Sequence, residues 1–560
     1  MRISLWLALW FFLGGFGAVV AQDVEAVASA PVFTLSGSIS ASMSAYNASG
    51  IPDRQTPFTW LLSGSLTPTI KSVAIPLSFV VSERERSFRQ AFNIVGISPK
   101  YQWVTVHAGY RSLQFSRYTL AGMQFLGGGF ELAPENFKVA AMYGRLQRAV
   151  EPDSGQQYVQ PAYQRMGYAA QAGYSNGPWK VMLNFLQAKD DSTSLKKLSG
   201  ESIIKPQQNS VVAMELGAPI VPGILTFTAE GAMSVVTANL RSPDIAPEAS
   251  SVPALLRGLQ PLKTSTRSTA ATRAGLNANF SSWGVRLNYE RIDPGFASFG
   301  TYYFNTDVEN YTVAPRLRLG TINLSGSIGL QRDNLENQKA TRTNRLIGSG
   351  NLDWAPSQAF GINLSYTNYS TNQAAGQKAL NDTIAVRNVT RSATVSPRFT
   401  IQEDTTRTHS ITAMASYQDY TDLNAFTSQF SENSSLTGTL GYTVAFVPSA
   451  LTCGLSLSGS KADFSSGSNQ TFGVSLNGGI ALLKNALSLN TTVTFSQSNT
   501  TGLSESKATV LNENFSVSYR LTDADNFSLT GYATQVQASG QQPAFSELQA
   551  TFAYSRSFNW

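Results

Sequence analysis

Apolar and small polar residues alternate along most of this chain with a period of two, and on a β-strand that period sends successive side chains to opposite faces. Phe33, Leu35, Ile39, Ala41 and Met43 fall on one face, and Thr34, Ser36, Ser38, Ser40, Ser42 and Ser44 on the other. Ile322, Leu324, Ile328 and Leu330 alternate with Asn323, Ser325, Ser327 and Gly329. Leu487, Leu489, Val493 and Phe495 alternate with Ser488, Asn490, Thr492, Thr494 and Ser496. Such a polar face cannot bury a second sheet, so a sandwich with a dry middle does not fit. A wall with hydrocarbon on one side and water on the other does. Charged residues make up only 14% of the chain and aromatics 11%, whereas soluble domains carry about 25% charged residues.

Marking every such run gives about 26 strands (24 to 26), with the stretches 82–92 and 303–311 ambiguous. The connections between them fall into two alternating classes. The short class includes Lys71-Ser72, Ser98-Pro99-Lys100, Ala133 to Asn136, Ser175 to Pro178, Trp354 to Ser357, Val447 to Ser449 and Thr522 to Asn526, all with turn chemistry. The long, polar class includes Asn47 to Thr56, Glu151 to Gln164, Lys189 to Gln208, Leu240 to Ser268, Arg332 to Thr343, Thr371 to Ala385 and Asp419 to Asn433. An open sheet edge in hydrocarbon leaves backbone groups unsatisfied at several kcal/mol each, so the sheet is expected to close. The predicted fold is all-β: a transmembrane antiparallel up-and-down barrel with an even number of strands, its short turns on the periplasmic side and its long loops outside.

Arg2, the apolar run Leu5 to Val20, and the small residues Val19 and Ala21 before Gln22 have the form of an export signal. The expected division is residues 1–21 as a cleaved signal peptide and residues 22–560 as the barrel. No stretch of about 18 apolar residues follows, so no transmembrane helix is expected.

The C-terminal segment places Phe552, Tyr554, Phe558 and Trp560 in alternation with Ala553, Ser555, Ser557 and Asn559, interrupted by Arg556. This resembles the terminal-strand assembly signal of bacterial outer-membrane β-barrel proteins, and the overall style resembles the large uncharacterised barrels of Bacteroidota. The resemblance implies residence in the outer membrane, contact with its lipids and recognition by the barrel-assembly machinery. The chain differs from TonB-dependent receptors in having strands from Phe33 with no room for a plug domain, and from the lipopolysaccharide-assembly barrel in lacking paired cysteines and a periplasmic domain. It shows no autotransporter passenger, and has more strands than classical porins and fatty-acid channels.

A single cysteine, Cys453, excludes an intramolecular disulfide and a multi-thiolate metal site. No phosphate loop, dinucleotide fingerprint or metal cluster appears, so no cofactor is expected. The net charge of +6 is spread over many loops and does not indicate nucleic acid. Of the two histidines, His107 is expected to face the lumen with Trp103, Thr105 and Arg111, and could serve a serine as general base. No elbow or oxyanion motif marks that serine, so no enzyme is expected. His409 reads as solvated. Arg84, Arg86, Arg89, Arg111, Arg117, Arg145 and Arg148 flank three successive external loops and are candidate pore-mouth or lumen charges; a merely solvated rim is the alternative. The aromatic stretch Arg291 to Asn305 either folds inward as a constriction, binds a sugar face or forms part of an interfacial girdle. The longest loop, Leu240 to Ser268, is expected to fold partly into the lumen.

About 26 strands enclose a wide lumen, since diameter grows with strand number. The expected function is a passive channel for small solutes, narrowed by loops or by a plugging partner protein. The alternative is a surface protein whose external loops bind a protein or glycan.

Overall fold

The computed structural model describes residues 32–83, 94–152, 160–196, 204–377, 381, 383, 385–402, 405–502, 505–539 and 543–560, with no side-chain description at 538–539. The signal-peptide segment lies outside these residues, as do Arg84, Arg86 and Arg89.

Twenty-eight strand segments among the described residues form 26 staves, because Val73–Ala74 runs on into Leu77–Ser82 and Ile94–Ile97 into Lys100–Tyr101. Every pairing is antiparallel, and all but the closing one join staves adjacent in sequence. The sheet closes where Phe33–Ser49 meets Phe545–Asn559, in register from Ser36↔Asn559 to Ser49↔Ser546. Leu35 and Trp560 exchange backbone hydrogen bonds of 3.0 and 2.9 Å, so the last residue completes the seam. Closure removes both edges, which is what a sheet surrounded by hydrocarbon requires.

The two faces of the wall differ as the alternation predicts. On Trp179–Asp191, Trp179, Val181 and Leu183 project outward and are exposed, while Met182, Asn184, Leu186, Ala188 and Asp190 point inward and are buried. Large apolar side chains with nothing covering them recur around the outer face, among them Phe137, Tyr143, Met214, Ile328, Leu364, Leu440, Leu476, Phe495 and Phe552. A soluble protein rarely carries so large a continuous apolar surface. On the half of the ring from Thr341–Trp354 through Phe545–Asn559, the inner face is rich in Ser, Thr and Asn, several bonded across strands, as in Ser475 Oγ to Thr494 Oγ1 (2.7 Å) and Asn469 to Ser498 (2.9 Å).

Connections at the end carrying the termini are tight, and several need left-handed backbone: Lys71, Gln102 and Glu135 have φ near +50°. One turn falls elsewhere than expected. Ser98 and Pro99 do not form it; Lys100 and Tyr101 pair on with Thr105 and Val104, and the chain reverses at Gln102-Trp103. Pro99 has no N–H for the ladder, so it makes an irregularity inside the stave instead of ending it. The length alternation also fails at the far end. Ser465-Ser466 joins Leu451–Phe464 to Gly467–Leu482 at the far end with two residues, because both strands there extend to the hairpin.

Candidate functional site: a lumen narrowed from one side

Two connections turn inward and meet across the lumen. The first, Phe115 to Leu120, folds back on itself through Phe115 N to Leu120 O (2.8 Å) and Ser116 Oγ to Thr119 Oγ1 (2.8 Å). The second runs from Asp293 to Asp307 between the strands Trp283–Ile292 and Val308–Leu319, and reverses at Gly295 with φ +68°. They touch at Ser298 Oγ, which donates to Thr119 O (2.5 Å), and at Gly300 O, which accepts from Ala121 N (3.0 Å). The approach requires Gly300, since a Cβ there would lie 2.6 Å from Thr119 O.

The inner wall is built to receive them. Asn209, fully buried, donates to Ala297 O (3.2 Å) and accepts from Phe299 N (3.0 Å), and Ser234 Oγ donates to Ala297 O (2.7 Å). Thus the backbone polar groups of a loop withdrawn from bulk water find partners, as they must. Around them lies an apolar cluster of Leu113, Phe115, Tyr118, Leu120, Phe125 and Met142 with Leu186, Val211, Ile292 and Phe296. Phe296 meets Tyr118 edge-on at 5.8 Å and Phe304 at 5.2 Å. Small inward residues, Ala140, Ala169, Ala188, Ala213, Ala232 and Ala271, make room for these rings.

Charged groups rim the cluster. Arg165 forms a two-point pair with Asp190 (Nε to Oδ1 2.6 Å, Nη2 to Oδ2 3.1 Å) and lies 3.6 Å from the centre of the Phe299 ring. Lys180 pairs with Glu215 (2.6 Å), whose other oxygen accepts from Asn184 (3.1 Å). Arg273 pairs with the buried Glu230 (2.8 Å). Tyr118 donates to Glu290 Oε1 (2.8 Å), and Arg117 pairs with the same carboxylate at 3.1 Å. Burial, with the Glu290 charge beside it, pushes the Tyr118 hydroxyl above the usual tyrosine range.

Among the described residues, the expected charges Arg111, Arg117, Arg145 and Arg148 do not gather into one ring. Arg111 faces the lumen well inside the wall and holds Ser78 Oγ (2.6 Å) and Pro76 O (3.1 Å). Arg117 rides on the first inward segment. Arg145 departs from the expectation: it is out of step with the inward Ala140 and Met142, and its side chain leaves the outer face to donate to Tyr110 Oη (3.1 Å). A register shift opposite Arg165/Met166 follows directly. Arg148 lies just past the end of Phe137–Gln147. Phe552, Tyr554, Phe558 and Trp560 are on the last strand and just beyond it, with Tyr554 4.9 Å from Phe527 and Phe558 edge-on to Trp560 at 5.9 Å. Arg556, which breaks their apolar row, is 3.6 Å from Asp525 at the turn end of the neighbouring strand.

The stretch 291–305 takes the inward course that was one of its expected alternatives. The longest loop does not. Its residues Val252, Leu256 and Leu262 pack on Val235, and Gln260 accepts from Ser210 Oγ (2.8 Å) while Leu259 O accepts from Gln187 (2.6 Å). Gln187, Ser210 and Val235 alternate with the inward Leu186, Asn209 and Ser234, so they lie on the outer face. The loop therefore lies against the outside of the wall. Sequence reasoning also missed Arg165, Asp190 and Asn209, which look like ordinary strand residues until the distant segments they hold are in place.

No family model and no curated protein matches the chain. Among solved structures it is similar to OccAB2 of Acinetobacter baumannii, at 9% identity over 63% of this chain and 92% of that one with a TM-score of 0.31. It is also similar to the translocation pore of the P pilus usher PapC (9% identity, 93% of this chain and 99% of that one, TM-score 0.36). A third is the siderophore receptor PirA of Pseudomonas aeruginosa (11% identity, 94% and 80%, TM-score 0.39). The class, a closed antiparallel barrel with an apolar outer surface, is defined by the chain's own geometry.

Proposed function

We propose that this protein is an outer-membrane channel for small polar solutes, passive in itself, whose bore is set by the inward segments 115–120 and 293–307. The observation that carries the reading is the asymmetry of the lumen. One half of the ring is filled by a packed apolar cluster with its own hydrogen-bonding seat, while the facing half presents Ser, Thr and Asn to water. A wall that only scaffolded loops would gain nothing from a built constriction, and an open ring of 26 strands would breach the barrier. Residues 1–21 serve as export signal in this account, and Phe552, Tyr554, Phe558 and Trp560 as the segment the assembly machinery reads. Liposomes reconstituted with the purified barrel are expected to swell in small sugars and stay silent in large oligosaccharides. Absence of swelling with any solute would remove the channel reading.

A second reading, attachment of a partner protein or glycan at the far end, is favoured by one observation. Leu423, Phe426 and Phe430 are exposed together on the connection after Arg407–Asp422, as are Tyr302 and Tyr303 on the other half.

A further inference from the structure

The inner wall carries a hydrogen-bonded Ser, His and Glu in series. Ser98 Oγ lies 2.8 Å from His107 Nδ1, and His107 Nε2 lies 3.1 Å from Glu131 Oε1. Lys138 Nζ holds the other carboxylate oxygen, Oε2, at 3.1 Å. The residues come from three adjacent staves, and His107 and Glu131 share the lumenal face with Arg111. We propose that Ser98, His107 and Glu131 form a serine-nucleophile site on the lumenal face of the wall, which cleaves carboxylic esters of small solutes in the channel.

Three features argue for it. The first is the tautomer. A carboxylate at Nε2 fixes the ring proton there, leaving Nδ1 as a free base toward the Ser98 hydroxyl. The second is the backbone. Ile97 pairs with Ala108 and Lys100 with Thr105, a constant register that sets Ser98 opposite His107 and Pro99 opposite Val106, with Pro99 O accepting from Val106 N (2.9 Å). Side chains directly opposed across an antiparallel pair share one face and meet. The lumen has many serines, but this register sets Ser98 against the histidine. His409, the second histidine of the chain, is on the outer face beside Tyr442.

The third is charge. Ser98 N and Arg111 Nη2 both donate to Pro76 O, at 2.8 and 3.1 Å, so a guanidinium lies in the immediate surroundings of the hydroxyl. Arg111 Nε is buried with no hydrogen-bond partner. A cation so placed favours the oxyanion of a tetrahedral intermediate.

In the reaction, Ser98 Oγ bonds to the ester carbonyl carbon as its proton passes to His107 Nδ1. The carbon–alkoxy bond then breaks, and the alkoxide leaves as an alcohol with that proton. Lumenal water, deprotonated by His107, attacks the acyl-serine and releases the acid, returning the hydroxyl to Ser98.

The test uses the full barrel in detergent micelles, with folding checked by its heat-dependent mobility in gels. A fluorophosphonate probe is expected to label Ser98, as located by peptide mass spectrometry. Labelling should vanish in Ser98→Ala and slow about 100-fold or more in His107→Asn, the scale of a lost general base. Glu131→Gln should shift the pH profile of labelling, which a purely structural role would leave in place. Should Ser98→Ala fail to fold, Ser98→Cys supplies the same comparison through iodoacetamide alkylation at position 98 with and without His107→Asn. No labelling of the wild type, labelling unchanged in Ser98→Ala, or alkylation of the cysteine variant indifferent to His107 would each overturn the proposal.

Discussion

Replacing Phe296 by alanine removes the ring that joins the two inward segments. Phe296 is only 2% exposed and contacts both Tyr118 and Phe304. Truncating a ring so buried costs about 3–5 kcal/mol, counting the cavity left behind. At 1.4 kcal/mol per factor of ten, the docked fraction of segment 293–307 falls relative to the undocked by roughly a hundredfold to a few thousandfold. The strands themselves are untouched, because the bonds of Asn209 and Ser234 to this segment involve its backbone at residues 297 and 299. Single-channel recording in planar bilayers should therefore show a larger mean conductance with new stepwise transitions, while Phe296→Leu stays near the wild type. Conductance histograms of Phe296→Ala that superimpose on the wild type, in a variant that remains folded, would refute the claim that these segments set the bore.

Deleting residues 241–262 should leave conductance unchanged and lower the melting temperature in detergent, since that loop covers Val235 on the outer face; a rise in conductance would return the loop to the lumen. Asp190→Asn frees the Arg165 guanidinium beside the constriction, and reversal potentials in a salt gradient should move toward anion selectivity. Leu183→Arg, on the lipid face, should cost about 2–4 kcal/mol in urea unfolding from vesicles, whereas Thr494→Arg, toward water, costs far less. Removing residues 558–560 should cut the yield of assembled barrel in the outer membrane, read by protease resistance of intact cells.

The barrel was legible because its information is local and repeated. Each strand declares its two faces in its own letters, and Phe33, Leu35 and Met43 lie outward as their spacing requires. Failures came where one residue changes the pairing. Pro99 looks like a turn, yet the ladder resumes at Lys100, and only that resumption reveals Ser98 opposite His107. Arg145 looks like a mouth charge, but the direction of its side chain depends on which of its neighbours pairs. Loop direction was legible only in part. The rings at Phe296, Phe299 and Phe304 announced a segment needing burial, and small residues on strands more than a hundred positions away in places, such as Ala140 and Ala188, receive it. Val252, Leu256 and Leu262 announced the same need, but Val235 and Val212 offered them the outer face, and nothing near the loop in sequence distinguishes the two destinations.

A wall between lipid and water gives neighbouring side chains of one strand opposite surroundings. Spin labels placed singly at cysteines from 488 to 496, in a chain with Cys453→Ser reconstituted into vesicles, test it most directly. Collision rates with oxygen should peak at 489, 491, 493 and 495, and rates with a water-soluble nickel complex at 488, 490, 492, 494 and 496. Profiles without a two-residue period, or nickel access as high at 493 and 495 as at 492 and 494, would contradict a wall between lipid and water.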